Sequence, residues 1–240
     1  MHPTVATRSL GDLVAEAPAR AALFDGLGLD YCCHGQRTLL DACTAAGLDV
    51  DAVAGQIVDL SGAVDVSDAA GSAPEMGDDL RTMTEQIVAT HHRYLRQELP
   101  ALEALAVKVE GVHGENHPEL ADLRALVAAL RADLEPHMDK EEMVLFPAIG
   151  RLVDGQREFP FGSVANPIRM METEHEQAGD VLVALRRISG QYTVPADGCA
   201  SYRSLYARLE HLEADTHLHI HKENNVLFPL VRALEASPAR

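Results

Sequence analysis

The chain has 240 residues, with 37 acidic side chains against 20 basic ones and a formal net charge of −17. That balance argues against a nucleic-acid or anionic-membrane partner surface, and no apolar run approaches the roughly 18–20 residues of a membrane span. Four cysteines, two of them adjacent, do not make a secreted disulfide framework, and no basic start leads into an apolar leader, so a cytoplasmic protein is expected.

In chain order, residues 1–60 read as a small helical domain. Leu10, Leu13, Val14 and Ala17 give one turn-spaced apolar face. Gly26 and Gly28 break it, and a turn follows at Asp30-Tyr31-Cys32-Cys33-His34-Gly35. Leu39 to Ala46 resumes a helix that Gly47 ends, and Val50 to Leu60 forms another. Residues 61–77 are rich in Ser, Ala, Gly and Asp without periodicity, which predicts a linker.

Residues 78–240 read as four longer helices. The first runs from about 78 to 109, with a kink or break expected at Pro100. The second runs from about 118 to 146, its buried face marked by Leu120, Leu123, Leu126, Val127, Leu130 and Leu134. Pro136 is expected to bend this helix beside His137. The third and fourth run from about 167 to 188 and 199 to 234. Aromatics are scarce and strand-like alternation is almost absent, so the fold class is all-α, with a small N-terminal domain linked to a four-helix bundle.

The bundle carries an internal repeat. His137-Met138-Asp139-Lys140-Glu141, running into Val144-Leu145-Phe146-Pro147, returns 82 residues later as His219-Ile220-His221-Lys222-Glu223 with Val226-Leu227-Phe228-Pro229. His and Glu four apart lie on one helix face, one turn from each other. A single histidine precedes each pair, His92 by 45 residues and His175 by 44. The pooled set is His92, His137, Glu141, His175, His219 and Glu223. Four imidazoles and two carboxylates suit iron, manganese or zinc rather than calcium. Inside a helical bundle they favour a dinuclear centre whose carboxylates bridge two metals. An exposed i,i+4 ion pair is the plainer reading of each His-Glu pair, but it does not explain the shared Val-Leu-Phe-Pro endings.

Asp133 and Asp215 each stand four residues before their histidine. Together with Glu174, beside His175, they are candidates to fix a ligand imidazole's tautomer or to line a polar path. His91, His217 and His221 are expected on the surface, His113 and His117 near an inter-helix turn, and Glu142 and Glu172 have no acidic counterpart in the repeat. Cys32 and Cys33, with His34, form a candidate exposed thiol site for redox, sulfur or metal transfer. Cys43 and Cys199 read as core or incidental positions.

The Tyr31-Cys32-Cys33 turn with Gly35, Thr38 and Leu39, followed by a linker and a duplicated His-x-x-x-Glu bundle, resembles the RIC (repair of iron centres, ScdA-type) iron-sulfur cluster repair proteins over nearly the whole chain. His34 departs from the small residue expected there. The resemblance implies a hemerythrin-like bundle holding two non-haem irons on the same six residues, with carboxylate and oxo bridging. It also implies a cysteine pair at Cys32 and Cys33 and a role in restoring iron-sulfur clusters damaged by nitric oxide or peroxide. Damaged iron-sulfur proteins are then the expected clients, and dioxygen or nitric oxide the small ligands. Four histidines, against the five of hemerythrin proper, favour an open coordination position, and nitric oxide reduction is an activity such a centre can support. The competing reading is a non-enzymatic carrier or sensor of dioxygen or nitric oxide, while iron storage lacks any visible cage interface. A homodimer is compatible with the sequence but has no mark in it.

Overall fold

A computed structural model describes residues 3–62 and 80–237. The expected linker, 61–77, lies almost wholly outside the described residues. The chain is all-α, and no strand occurs among the described residues beyond one isolated bridge between Ser9 and Thr38. No helix among them is long and apolar enough to cross a membrane.

The N-terminal part folds as α1 (Pro3–Ala6), α2 (Leu10–Glu16), α3 (Arg20–Leu27), α4 (Leu39–Ala46) and α5 (Val50–Gly62). Ser9 and Thr38 start α2 and α4 as N-caps, accepting from the amides of Asp12 and Asp41 at 3.0 and 3.1 Å. The Ser9–Thr38 bridge sets these two helix starts side by side. Gly28 and Gly47 end α3 and α4 in the left-handed conformation that glycine adopts without strain. Leu10, Leu13, Phe24, Tyr31, Leu39 and Ile57 form this part's core, and Ile220 of the bundle completes it.

The bundle begins with α6 (Leu80–Ile87), which passes through a wide π-helical turn, Val88–His92, into α7 (Arg93–His113). Next, α8 (Glu119–Lys140) passes through a second such turn, Glu141–Leu145, into α9 (Phe146–Val153). The third helix is α10 (Ala165–Ile188). The fourth is α11 (Ala200–His221), which continues through a third wide turn, Lys222–Leu227, into α12 (Phe228–Ala236).

Helix α7 contacts α8 and α11, and α10 contacts the same two, which closes a four-membered ring. Its interior has two apolar layers. One holds Leu95, Leu99, Leu130, Leu134, Ala178, Leu182 and Leu212, and the other Ile87, Leu145, Phe146, Met171, Leu227 and Phe228. Every ligand candidate falls between the layers along its own helix. The order in which each helix crosses the layers alternates, so the four run up, down, up, down.

The expected break at Pro100 does not occur. Helix α7 continues through it, and α8 continues through Pro136. Proline lacks an amide and crowds the carbonyl four residues back. At Pro147 and Pro229 the chain answers this differently, with a wide turn just upstream. There the Phe146 and Phe228 amides reach the carbonyls of Glu141 and Glu223, five residues back rather than four. The repeated Leu-Phe-Pro ending therefore accompanies a widened turn that begins at or beside each glutamate.

Candidate metal centre

The bundle brings the six sequence-derived residues into two groups whose ligand atoms lie within 4.8 Å of one another. One is His92, His219, Glu141 and Glu223, and the other His137, His175, Glu141 and Glu223. Both carboxylates belong to both groups, so each could serve two metals. All six are buried, with Glu141, His175 and Glu223 wholly inaccessible.

The contacts follow the repeat. His92 Nε2 stands 3.2 Å from His219 Nε2, and His175 Nε2 stands 3.1 Å from His137 Nε2. Glu141 Oε2 is 3.3 Å from His92 Nε2 and 3.4 Å from His137 Nε2. The Glu223 oxygens are each 3.1 Å from an Nε2, that of His175 or of His219. Phe146 stacks on His92 and Phe228 on His175, at 5.7 and 6.1 Å between ring centres, so the same aromatic shields the same histidine in each half.

Three of the four imidazoles have their outer nitrogen fixed. The Nδ1 atoms of His92, His137 and His175 pair at 2.9 Å with Glu142 Oε1, Glu174 Oε2 and Asn224 Oδ1. Because these oxygens only accept, each Nδ1 carries a proton, which leaves each Nε2 facing inward, free to bind a metal or, in its place, a second proton. The interior is thus filled with acceptors. Both Glu141 oxygens, Glu223 Oε2 and His219 Nδ1 are buried without a hydrogen-bond partner.

Such orphaned groups are costly, and convergent lone pairs and carboxylates call for cations between them. The donor set of four nitrogens and two carboxylates fits first-row metals such as iron. Protons respond to the same field. Burial works against charge on His175, but the Glu223 carboxylate overrides it and raises the histidine to about 9. Burial likewise opposes the charge on Glu223, yet His219 and His175 hold its carboxyl well below the usual range. His219 is shifted down, burial being the first cause.

The supporting residues differ from expectation. Glu174 does receive the His137 proton, and it also pairs with Lys140. Asp133 is exposed, beside a cavity of about 150 Å³ that it shares with His137, Lys140 and Glu174, and makes no bond to His137. Asp215 accepts from His91 Nδ1 at 3.0 Å rather than from His219. Glu142 and Asn224, which sequence reasoning missed, hold His92 and His175. They occupy equivalent places in the repeat, 82 residues apart, so the signal was positional and did not depend on residue type.

The expected surface histidines are a correction. His91 and His221 are 4% and 3% exposed, and His217 is partly buried. His91 stacks flat on His219, with ring centres 5.4 Å apart, and accepts from Lys222 Nζ at 2.8 Å. His217 and His221 are covered because the N-terminal part docks on their face of α11. Tyr31 packs on both rings, and His217 Nδ1 pairs with Asp25 at 2.8 Å. His113 and His117 are partly buried and pack against Tyr202.

The cysteine turn is likewise covered more than expected, with Cys32 buried and Cys33 partly so. Asp30 caps the turn, accepting from the Cys33 and His34 amides at 2.9 and 3.3 Å. Cys33 Sγ donates to the His175 carbonyl at 3.7 Å. Asn224, whose oxygen holds His175, donates its amide to the Cys32 carbonyl at 3.3 Å. Asn225 donates to the Tyr31 and Cys32 carbonyls at 3.2 and 2.9 Å. Gly35 has to be glycine here, since a Cβ would stand 2.5 Å from the Tyr31 carbonyl oxygen and collide with the Asn225 amide.

Comparison with known proteins adds a family. Residues 83–231 match the Hemerythrin HHE cation binding domain, and residues 6–61 match the ScdA N-terminal domain, described as a domain of unknown function. The iron-sulfur cluster repair protein YtfE of Cronobacter sakazakii is 35% identical over 94% of this chain and 96% of its own length. YtfE of Yersinia pseudotuberculosis is 35% identical over 92% and 95%, and that of an Enterobacter species 34% identical over 94% and 97%.

Proposed function

The chain belongs to the YtfE/ScdA family of iron-sulfur cluster repair proteins, and on that premise we propose that it restores iron-sulfur clusters damaged by nitrosative or oxidative stress. The observation that carries the reading is the pair of buried His/Glu clusters sharing both glutamates. His92 and His219 would hold one iron, His137 and His175 the other, and Glu141 and Glu223 would bridge them. Bound there, two ferrous ions would supply electrons to nitric oxide or dioxygen and form a reserve of iron for a damaged cluster.

The protein's own residues set the terms. Glu142, Glu174 and Asn224 orient three imidazoles, while Phe146 and Phe228 exclude water from two of them. His/carboxylate ligation binds iron less tightly than an all-thiolate shell, which suits a donor. Cys32 and Cys33 would relay iron or electrons between the bundle and a client, a role supported by their link to His175 through Asn224.

Two irons per chain are expected in anaerobically purified protein and should be lost in Glu141→Ala with Glu223→Ala. Equal zinc and no iron in both would overturn the reading. Repair of a nitric-oxide-treated [4Fe-4S] client should fail with that double variant and slow with Cys33→Ser. The burial of all six ligands also suits a carrier or sensor of diatomic gases. An adduct recovered unchanged on removing the gas, with no repair activity, would favour it.

A further inference from the structure

We propose that Asp30, Cys32 and Cys33 form a third, mononuclear site for a thiophilic divalent cation, ferrous iron in this setting. The proposal deepens the relay role given above by naming its cargo and its carboxylate ligand, and it rests on that role only for the choice of iron. The three side chains place one ligand atom each within 4.8 Å of one another.

The spacing is what a tetrahedral cation requires. Metal–sulfur bonds of about 2.3 Å span a tetrahedral edge of about 3.8 Å between two sulfurs. The Cys32 and Cys33 sulfurs stand 3.7 Å apart, a nonbonded distance between free thiols. Pairing such a sulfur with an oxygen bound at about 2.0–2.2 Å gives an edge of about 3.5–3.7 Å. Cys32 Sγ lies 3.4 Å from Asp30 Oδ1. Adjacent residues rarely hold two sulfurs this way, because successive side chains diverge. Here the Asp30 cap on the Cys33 and His34 amides folds the turn so that both converge.

The surroundings favour a cation and leave room for exchange. The turn borders a cavity of about 410 Å³ at the junction of the two parts; Glu176 and Asp180 add two carboxylates to its wall, while Glu213 is paired there with Arg186 and Asp25 with His217. That field attracts positive charge. Three protein ligands leave a fourth position toward the cavity, the arrangement of a site that hands its metal on rather than storing it. His34 Nδ1, 2.5 Å from Asp30 Oδ2, holds the carboxylate from its outer side. Loading would release protons from the thiols.

The test is an anaerobic cobalt(II) titration of the full chain, read by thiolate-to-cobalt charge-transfer absorption in the near ultraviolet. Wild type and Glu141→Ala/Glu223→Ala should both show the band, which saturates at one cobalt per chain in the glutamate variant, where the dinuclear site no longer competes for the metal. Cys32→Ser and Cys33→Ser should abolish it, and Asp30→Asn should weaken binding at least tenfold with far-ultraviolet dichroism unchanged. No band in wild type, or a band intact in Cys33→Ser, would overturn the site. Loss of the band in the glutamate variant despite native dichroism would also overturn it as a separate site. Failure of the repair reading would appear elsewhere, in iron content and client repair, so the two failures are distinguishable.

Discussion

Glu141→Gln should stabilise the metal-free protein while destroying its response to iron. Glu141 is wholly buried, neither oxygen has a hydrogen-bond partner, and Oε2 faces the Nε2 atoms of His92 and His137 at 3.3 and 3.4 Å. Without metal this carboxylate finds a donor only by favouring a proton on His92, against the burial that opposes charge there. The glutamine amide keeps the shape, removes the charge and offers two N–H donors to those nitrogens. Relieving one buried unsatisfied group is worth about 1–3 kcal/mol. In a chain of this size that is a rise of about 2–12 °C in the apo Tm. The iron-bound state should move the other way, since a neutral amide makes a poor bridge. A metal at a hundredfold excess over its Kd stabilises wild type by about 2.7 kcal/mol, and most of that gain should vanish in the variant. The assay is anaerobic thermal unfolding of both proteins, chelated and with ferrous iron. An apo variant that melts below wild type, or an iron-induced shift equal to wild type, would refute the reasoning.

Glu174→Ala should weaken iron retention roughly 10–100-fold by releasing His137, whereas Asp133→Ala should leave it unchanged; metal content after graded chelation separates the two. Asn225→Ala removes the bonds to the Tyr31 and Cys32 carbonyls and should loosen the docked turn, seen as several-fold faster alkylation of Cys33 without loss of iron. Gly35→Ala should do the same by steric conflict, at a cost of about 1–3 kcal/mol. Cys199, held down to about 7 by its hydrogen bond with His113, should alkylate with a midpoint near neutrality. His113→Gln should return that midpoint toward the ordinary thiol range of about 8.5; an unchanged profile would show that His113 does not act on it.

The six residues of the two clusters were legible because they repeat as residue types at fixed spacing. The four helices were legible because their apolar faces repeat. What escaped was geometry that spacing cannot carry. Pro100 read as a kink or break and Pro136 as a bend; the helices run on through both, while the wide turns lie elsewhere. His217 and His221 read as surface because a helix turns them away from His219. They do turn away, onto the face where the N-terminal part docks. Nothing in a single sequence says which helix face a separate domain will cover.

That docking follows from where the repeat is broken. The two halves share Lys140 with Lys222 and Asp133 with Asp215, but Glu142 is answered by Asn224, Met143 by Asn225, and Glu174 by His91. Glu142 bonds only within its half of the bundle, to His92 and Arg96, and Met143 is 77% exposed. Asn224 does the same work for His175 but, being an amide, also has a donor, and spends it on the Cys32 carbonyl. Asn225 likewise turns two donors toward the cysteine turn. A carboxylate at either place has no proton to give to a backbone carbonyl. The change from acid and apolar to two asparagines therefore leaves one half facing solvent and turns the other into a seat for the Cys32-Cys33 turn. At the third break, His91 replaces a carboxylate acceptor with a stacked ring, and His219 is the one imidazole of the four whose Nδ1 has no partner. The duplication builds two matching His/Glu clusters, and its departures join one side of them to the cysteine turn.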